Sequence, residues 1–263
     1  MNASNGSPEL SIIIPAYNEE KRLPRTLVEL GKSVECGELP KNIEVLVIND
    51  GSSDATKDIL PPLGSPIWKN ITYCLITIPH AGKGYAVREG LRRTRGNWVL
   101  MADADLSTSF AMYRLLKARA RDGSIASRGL KDSKITVHQP GQRHNLGRLF
   151  NHFVRLATGL RFYDTQCGFK LFTKEAAEIA GKYITLPGFA FDVEMLMILE
   201  RAGFQIIEVP VEWAHMEDSR VQAFPDGLNM GLAILELRFA FLFGTHCASR
   251  IRVSRAIGHR PPS

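Results

Sequence analysis

Asp103 and Asp105 stand one residue apart, directly after the apolar run Trp98, Val99, Leu100 and Met101. Two carboxylates at that spacing, where a buried strand opens into a loop, suit a hard divalent cation such as Mg²⁺ or Mn²⁺ that keeps positions open for a substrate's oxygens. A D-x-D by itself is common in solvated loops and helix caps, so its meaning rests on its surroundings. The segment Asn49-Asp50-Gly51-Ser52-Ser53-Asp54 ends a second apolar run, residues 43–48. Asp50 can accept a hydrogen bond from a nucleobase N–H, whereas Ser52, Ser53 and Asp54 also suit the cap of a following helix. Glu19 is a candidate acceptor for ribose hydroxyls, and Tyr17 offers a ring on which a base can pack. Ala81-Gly82-Lys83-Gly84 sets a lysine in a glycine turn, where its charge can offset diphosphate oxygens. Arg128, Arg143 and Arg148 form a second basic group whose planar forks match phosphate.

Those residues need elements that bring them to one place. Residues 11–16, 43–48, 71–78 and 98–102 read as short strands with little polar alternation, the pattern of parallel strands covered on both faces. Between them, residues 20–34, 53–60 and 84–94 carry helical spacing. Strand, helix and strand in alternation predict right-handed crossovers and a doubly wound, mostly parallel α/β sheet. Ligands on such sheets bind beyond the carboxyl ends of the strands. Tyr17 and Glu19, Asp50, Lys83, and Asp103 with Asp105 then share one rim, which points to a metal-bound nucleotide diphosphate and to group transfer from it. Neither G-x-G-x-x-G nor G-x-x-x-x-G-K-[ST] occurs, which argues against a dinucleotide oxidoreductase and a P-loop NTPase.

The second half is less regular. Residues 109–121, 142–158 and 192–202 read as helices, and 124–127, 168–172 and 205–213 as strands. Residues 131–141 are polar, lack a period and include Pro140, so a mobile loop over the site is expected there. Net charge is +6, which admits an anionic partner: nucleic acid, a phosphorylated substrate or an acidic membrane surface. The arginines are dispersed with no aromatic-interleaved motif, so nucleic acid is not expected. Cys36, Cys74, Cys167 and Cys247 are scattered without metal-ligand or disulfide spacing, which fits a cytoplasmic protein. No signal peptide is read, and no apolar stretch is expected to reach the roughly 18 residues of a membrane span.

With those motifs in order, the chain resembles a known family. Ile12-Ile13-Ile14-Pro15-Ala16-Tyr17-Asn18-Glu19, Asn49-Asp50-Gly51-Ser52-Ser53-Asp54, Gly82-Lys83-Gly84 and Asp103-Ala104-Asp105 resemble the inverting family 2 glycosyltransferases of the GT-A fold. Asp164-Thr165-Gln166-Cys167-Gly168-Phe169-Lys170-Leu171-Phe172, Phe191-Asp192-Val193-Glu194 and Glu208-Val209-Pro210-Val211-Glu212-Trp213 are similar to the branch that glucosylates dolichyl or polyprenyl phosphate. The resemblance implies UDP-glucose as donor, a polyprenyl phosphate as acceptor, a Mg²⁺ or Mn²⁺ cofactor, and direct displacement with inversion. It assigns Ala16, Tyr17, Glu19 and Asp50 to the nucleoside, Lys83 to the donor phosphates, and Asp103 and Asp105 to metal and sugar. Arg128 and Arg143 go to donor or lipid phosphate, with Arg148 of the same basic group a further candidate for the acceptor phosphate, and Asp164 and Gln166 to the neighbourhood of the sugar. Asp192 and Glu194 fall where relatives with hydroxyl acceptors keep a catalytic base, so transfer to a glycan hydroxyl is the alternative.

The expected organisation is a disordered or extended stretch 1–9, a GT-A domain 10–224 and a C-terminal helix with a basic tail, 225–263. Leu228, Leu232, Leu235 and Phe239 recur at helical spacing, and Arg238, Arg250, Arg252, Arg255 and Arg260 follow Glu236 with no acidic residue after it. Apolar anchors followed by arginines suit an amphipathic helix lying on an anionic membrane, on its cytoplasmic face; the alternative is a helix packed on the core.

Overall fold

The computed structural model describes residues 6–62, 66–137, 141–214 and 223–251, with the backbone alone given at 137, 141–146, 148, 223–226 and 250. Its centre is a seven-stranded sheet in the order β3-β2-β1-β4-β7-β5-β8. The strands are β1 (Leu10–Ala16), β2 (Ile43–Asp50), β3 (Thr72–Ile78), β4 (Trp98–Met101), β5 (Gly123–Ser127), β7 (Lys170–Thr173) and β8 (Ile206–Pro210). β7 runs antiparallel to both β4 and β5, and every other pairing is parallel. The first four strands lie where the apolar runs predicted them. β2 is buried at every position, as a strand covered on both faces must be.

Two apolar layers provide that cover. α1 (Leu23–Glu35) buries Leu23, Leu27, Leu30 and Val34, the i, i+4, i+7, i+11 stripe of an amphipathic helix. With α3 (Met112–Arg119) it packs on one face, against Leu10, Ile12 and Ile14. On the other face lie α2 (Lys83–Leu91), α5 (Lys174–Tyr183) and α6 (Phe191–Arg201), joined by Val154 of α4 (Gly141–Thr158) and by Met230, Ile234 and Leu237 of α7 (Ala223–Leu242).

Four expectations change. Residues 53–60 hold only a short 3₁₀ turn, Ala55–Asp58, because Asp54 caps the Thr56 N–H and Pro61 and Pro62 follow at once. The stretch 205–213 divides: β8 leaves the main sheet at Pro210, and β9 (Glu212–Ala214) pairs in parallel with β6 (Lys134–Val137) as a separate two-stranded sheet. That pairing turns residues 134–137 of the expected loop 131–141 into a strand, while residues 138–140 lie outside the described residues. α5 carried a signal that the spacing argument passed over, since Thr173 accepts a hydrogen bond from the Ala176 N–H as an N-cap.

Candidate functional site

The loops that follow β1, β2 and β3 are stitched together side by side. Asn18 Oδ1 accepts from the Ser53 N–H at 2.8 Å, and Ser52 Oγ accepts from the Asn18 N–H at 2.8 Å. Asn18 holds a left-handed φ of 53°, a conformation asparagine tolerates better than most residues. Asp50, buried at the end of β2, accepts from the Ala81 N–H at 2.8 Å and the Gly82 N–H at 2.9 Å, and its carboxylate lies 2.9 Å from His80 Nδ1. Both Asp50 oxygens therefore shape the turn after β3. The His80 ring stacks on Tyr17 with centroids 4.3 Å apart, which makes a partly exposed aromatic wall at the mouth of β1 and β2. Sequence reasoning placed His80 on the rim with the turn after β3 but gave it no role, since a lone histidine after a strand carries no pattern. Glu19 is paired with Arg22, and Ala16 is buried as the last residue of β1. Asp54 is a helix cap.

Lys83 opens α2 and Asp103 follows β4, and their ammonium and carboxylate meet at 2.7 Å. Burial opposes both charges, but each is held by the other: the Asp103 carboxyl lies below its usual range and the Lys83 ammonium above its own. Gly168 lies against the opposite side of Asp103. A Cβ there would meet Asp103 Oδ2 at 1.9 Å, so only glycine leaves room for that carboxylate. Asp105 accepts from the Ser107 N–H at 2.9 Å, and the intervening Leu106 has a φ of 57°. A bulky residue in that conformation is strained and persists only where its surroundings hold it. Among the described residues no group of three or more His, Cys, Asp and Glu could hold a metal. Two carboxylates suffice where a cation also takes phosphate oxygens from its substrate.

The antiparallel direction of β7 brings the next cluster to the same rim. Met101 is paired with Lys170, so the segment leading into β7 arrives where β4 leaves. Asp164 receives Arg128 in a fork, at 2.6 Å from Nε and 2.9 Å from Nη2, with the Arg128 N–H at 3.0 Å. Burial alone would raise the Asp164 carboxyl; the charge and hydrogen bonds of Arg128 outweigh it and hold it low. Asp164, expected beside the sugar, has its carboxylate paired with Arg128, which also lies over the Trp213 ring at 5.3 Å. Gln166 Nε2 approaches the Met230 sulfur at 3.7 Å, linking the same segment to α7.

Lys170 is fully buried, with its ammonium 2.6 Å from the Cys167 carbonyl and 2.6 Å from Asp192 Oδ1. Burial raises the Asp192 carboxyl, and the charges of Lys170 and Lys83 oppose that rise without cancelling it. The lysine inside an apolar strand was the sequence signal for this pair, and it went unread. Two residues on, Glu194 is turned away from the rim toward Thr185, Leu186 and His246. Arg143 and Arg148 fall in the part of α4 whose side chains lie outside the described residues.

Away from the rim, α7 packs on α4 and α6 through Met230, Ile234 and Leu237. Its other stripe, Leu228, Leu232, Leu235, Phe239 and Leu242, is exposed, as are Phe243 just beyond it and Leu149 and Leu156 on α4. Residues Gly227–Ser249 are long and apolar enough to cross a membrane by length and composition, contrary to the expectation that no stretch would be. The residues predicted as anchors are the exposed ones, and a different stripe packs on the core.

Residues 11–179 match the model of glycosyl transferase family 2. The chain is 33% identical over 246 residues to a dolichyl-phosphate beta-glucosyltransferase of Dictyostelium discoideum, covering 89% of this chain and 75% of that protein. It is 32% identical over 248 residues to the human dolichyl-phosphate beta-glucosyltransferase, covering 90% and 76%. Its fold is similar to that of glucosyl-3-phosphoglycerate synthase from Mycobacterium tuberculosis, solved with Mn²⁺, UDP-glucose and phosphoglyceric acid, with a TM-score of 0.61, 18% identity and coverage of 89% and 80%.

Proposed function

Since the chain belongs to glycosyl transferase family 2, we propose that it moves glucose from UDP-glucose to the phosphate of a polyprenyl or dolichyl lipid, inverting the anomeric carbon. The protein is a glycosyltransferase with a mostly parallel α/β sheet of the GT-A kind. The observation that carries the donor reading is the pairing of Lys83 and Asp103 beyond the carboxyl ends of parallel strands β3 and β4, with Gly168, ahead of antiparallel β7, against Asp103 and with Asp105 two residues on. Asp103 and Asp105 would hold Mg²⁺ or Mn²⁺, which when bound offsets the charge of the diphosphate leaving group.

The chain's own residues have distinct tasks. Tyr17 and His80 offer the base a stacking wall, Asp50 sets the turn beside it, and Glu19 borders the ribose. Lys83 meets the diphosphate. Arg128, aimed by Asp164, presents a fork to the acceptor phosphate, with Arg143 and Arg148 of α4 as further candidates. A phosphate monoester is already largely dianionic at neutral pH, its second pKa being about 6. Its oxygen therefore needs placing opposite the leaving group more than it needs a base. Asp192, bound to Lys170, then tunes the field at the rim.

The exposed stripe of α7 and the leucines of α4 support docking on a membrane surface, where the lipid acceptor resides. The direct test is a screen of UDP and GDP sugars with Mg²⁺ or Mn²⁺ and a short polyprenyl phosphate, read by product mass. A glucosylated phospholipid from UDP-glucose is expected; preference for GDP-mannose would overturn the donor assignment.

A further inference from the structure

Glu194 is completely buried on α6 and touches none of the rim residues, yet four donors converge on it. Its Oε1 accepts from the Thr185 N–H at 2.9 Å and the Thr185 hydroxyl at 2.6 Å, and lies 2.9 Å from His246 Nε2; its Oε2 accepts from the Leu186 N–H at 2.8 Å. His246 Nδ1 accepts from the Ala248 N–H, which leaves the proton on Nε2 for Glu194. A buried carboxylate with this many donors fixes its partners, because each would otherwise be left unsatisfied.

What it fixes is the loop that packs against the glycines on either side of Lys83. Pro187, next after Leu186, accepts through its carbonyl from the Gly84 N–H at 2.7 Å and the Tyr85 N–H at 3.3 Å. A Cβ on Gly84 would meet the Leu186 carbonyl at 2.3 Å, and one on Gly82, whose φ is 109°, would meet the Pro187 carbonyl at 2.5 Å. The two glycines around Lys83 are thus moulded onto backbone that Glu194 holds. His246 lies just beyond α7 and stacks on its Phe241, so the end of the exposed helix is tied to the same carboxylate.

We infer that Glu194 is a positioning residue for Lys83, setting the lysine's place on the donor diphosphate through Thr185, Leu186 and Pro187, with His246 linking that setting to the seat of α7. The inference rests on the donor reading proposed above. It is tested by calorimetric titration of UDP with Mn²⁺ into the full chain and into Glu194→Gln, Lys83→Ala and the double variant. Each single change is expected to weaken UDP about tenfold, and the double change to be less than about threefold worse than Lys83→Ala alone, since the lysine being placed is already gone. Thr185→Val, which removes one hydroxyl from the cluster, should weaken UDP in the same non-additive way, and Thr185→Ser should restore it; this pair decides the matter if Glu194→Gln does not fold. Additive losses in both cycles, or unchanged UDP affinity in Glu194→Gln and Thr185→Val, would overturn the inference while leaving the donor reading intact. Absence of UDP binding by the unmodified chain would overturn that reading, and the inference with it.

Discussion

At the strand-end rim charged groups meet their opposites, Lys83 with Asp103, Arg128 with Asp164 and Lys170 with Asp192, whereas along α7 Leu228, Leu232, Leu235, Phe239 and Leu242 are exposed. The rim is organised before any ligand arrives. Its charges are held in place by loops bonded to one another, which is the condition for stabilising a highly charged leaving group without reorganisation. The helical surface is unfinished by the same standard, because apolar area on that scale remains exposed until something covers it. On the function proposed above, the rim would serve a soluble, anionic donor and the helix a lipid surface, the division of labour that a transferase with a membrane-borne acceptor requires.

The strongest way to break this contrast is at the aspartates proposed to hold the metal. Asp103→Ala is expected to lower kcat/KM about 1,000-fold, a loss of roughly 4 kcal/mol, with vesicle binding unchanged. Retained turnover in steady-state assays would show that the rim is not the donor site. Gly168→Ala drives a methyl into the Asp103 carboxylate, and a displacement of that order costs about 100-fold in turnover; an unchanged rate would mean that the placement of Asp103 is unimportant.

The helical surface calls for the converse experiment. Leu232→Glu with Phe239→Glu removes two exposed apolar side chains, and at about 1 kcal/mol each should weaken partition onto anionic vesicles roughly 30-fold. UDP affinity in solution should stay the same, and a fall in both would merge the two regions into one. Asp192→Asn sharpens the chemistry within the rim: a loss below about tenfold is expected with a phosphate acceptor, and a near-total loss with binding intact would point to a general base and a hydroxyl acceptor.

The smallest effect is one of pH. The Asp164 carboxyl is held below its usual range by Arg128, against burial, so its contribution to stability is fully present above the unfolded value of about 3.9 and is lost as pH falls through the folded one. The melting temperature of Asp164→Asn should therefore trail that of the unmodified chain at neutral pH and converge with it in acid. A constant gap down to about pH 2 would exclude this linkage.

Much of this was legible in the residues. The strands that carry Asp50 and Asp103 announce themselves as apolar runs, and their ends must share a rim once the sheet is parallel. The helical spacing of Leu228, Leu232, Leu235 and Phe239 was equally plain, but a helix apolar on two sides gives no sign of which stripe packs inward. The partners of Lys170 and Gly168 stayed hidden because Asp192 on α6 and Asp103 after β4 lie far off in the chain and meet them only in the folded protein.

The sequence by itself determined the family, the parallel half of the sheet and the acidic and basic residues of its rim, since these follow from local composition and periodicity. Only the tertiary structure decided that β7 runs antiparallel and so delivers Asp164, Gly168 and Lys170 to that rim. It also decided that Asp164 pairs with Arg128, that Asp50 shapes a turn, and that Glu194 is bonded to Thr185, Leu186 and His246. Each of these depends on which distant donor reaches a carboxylate first, and that is a matter of packing geometry rather than of residue type.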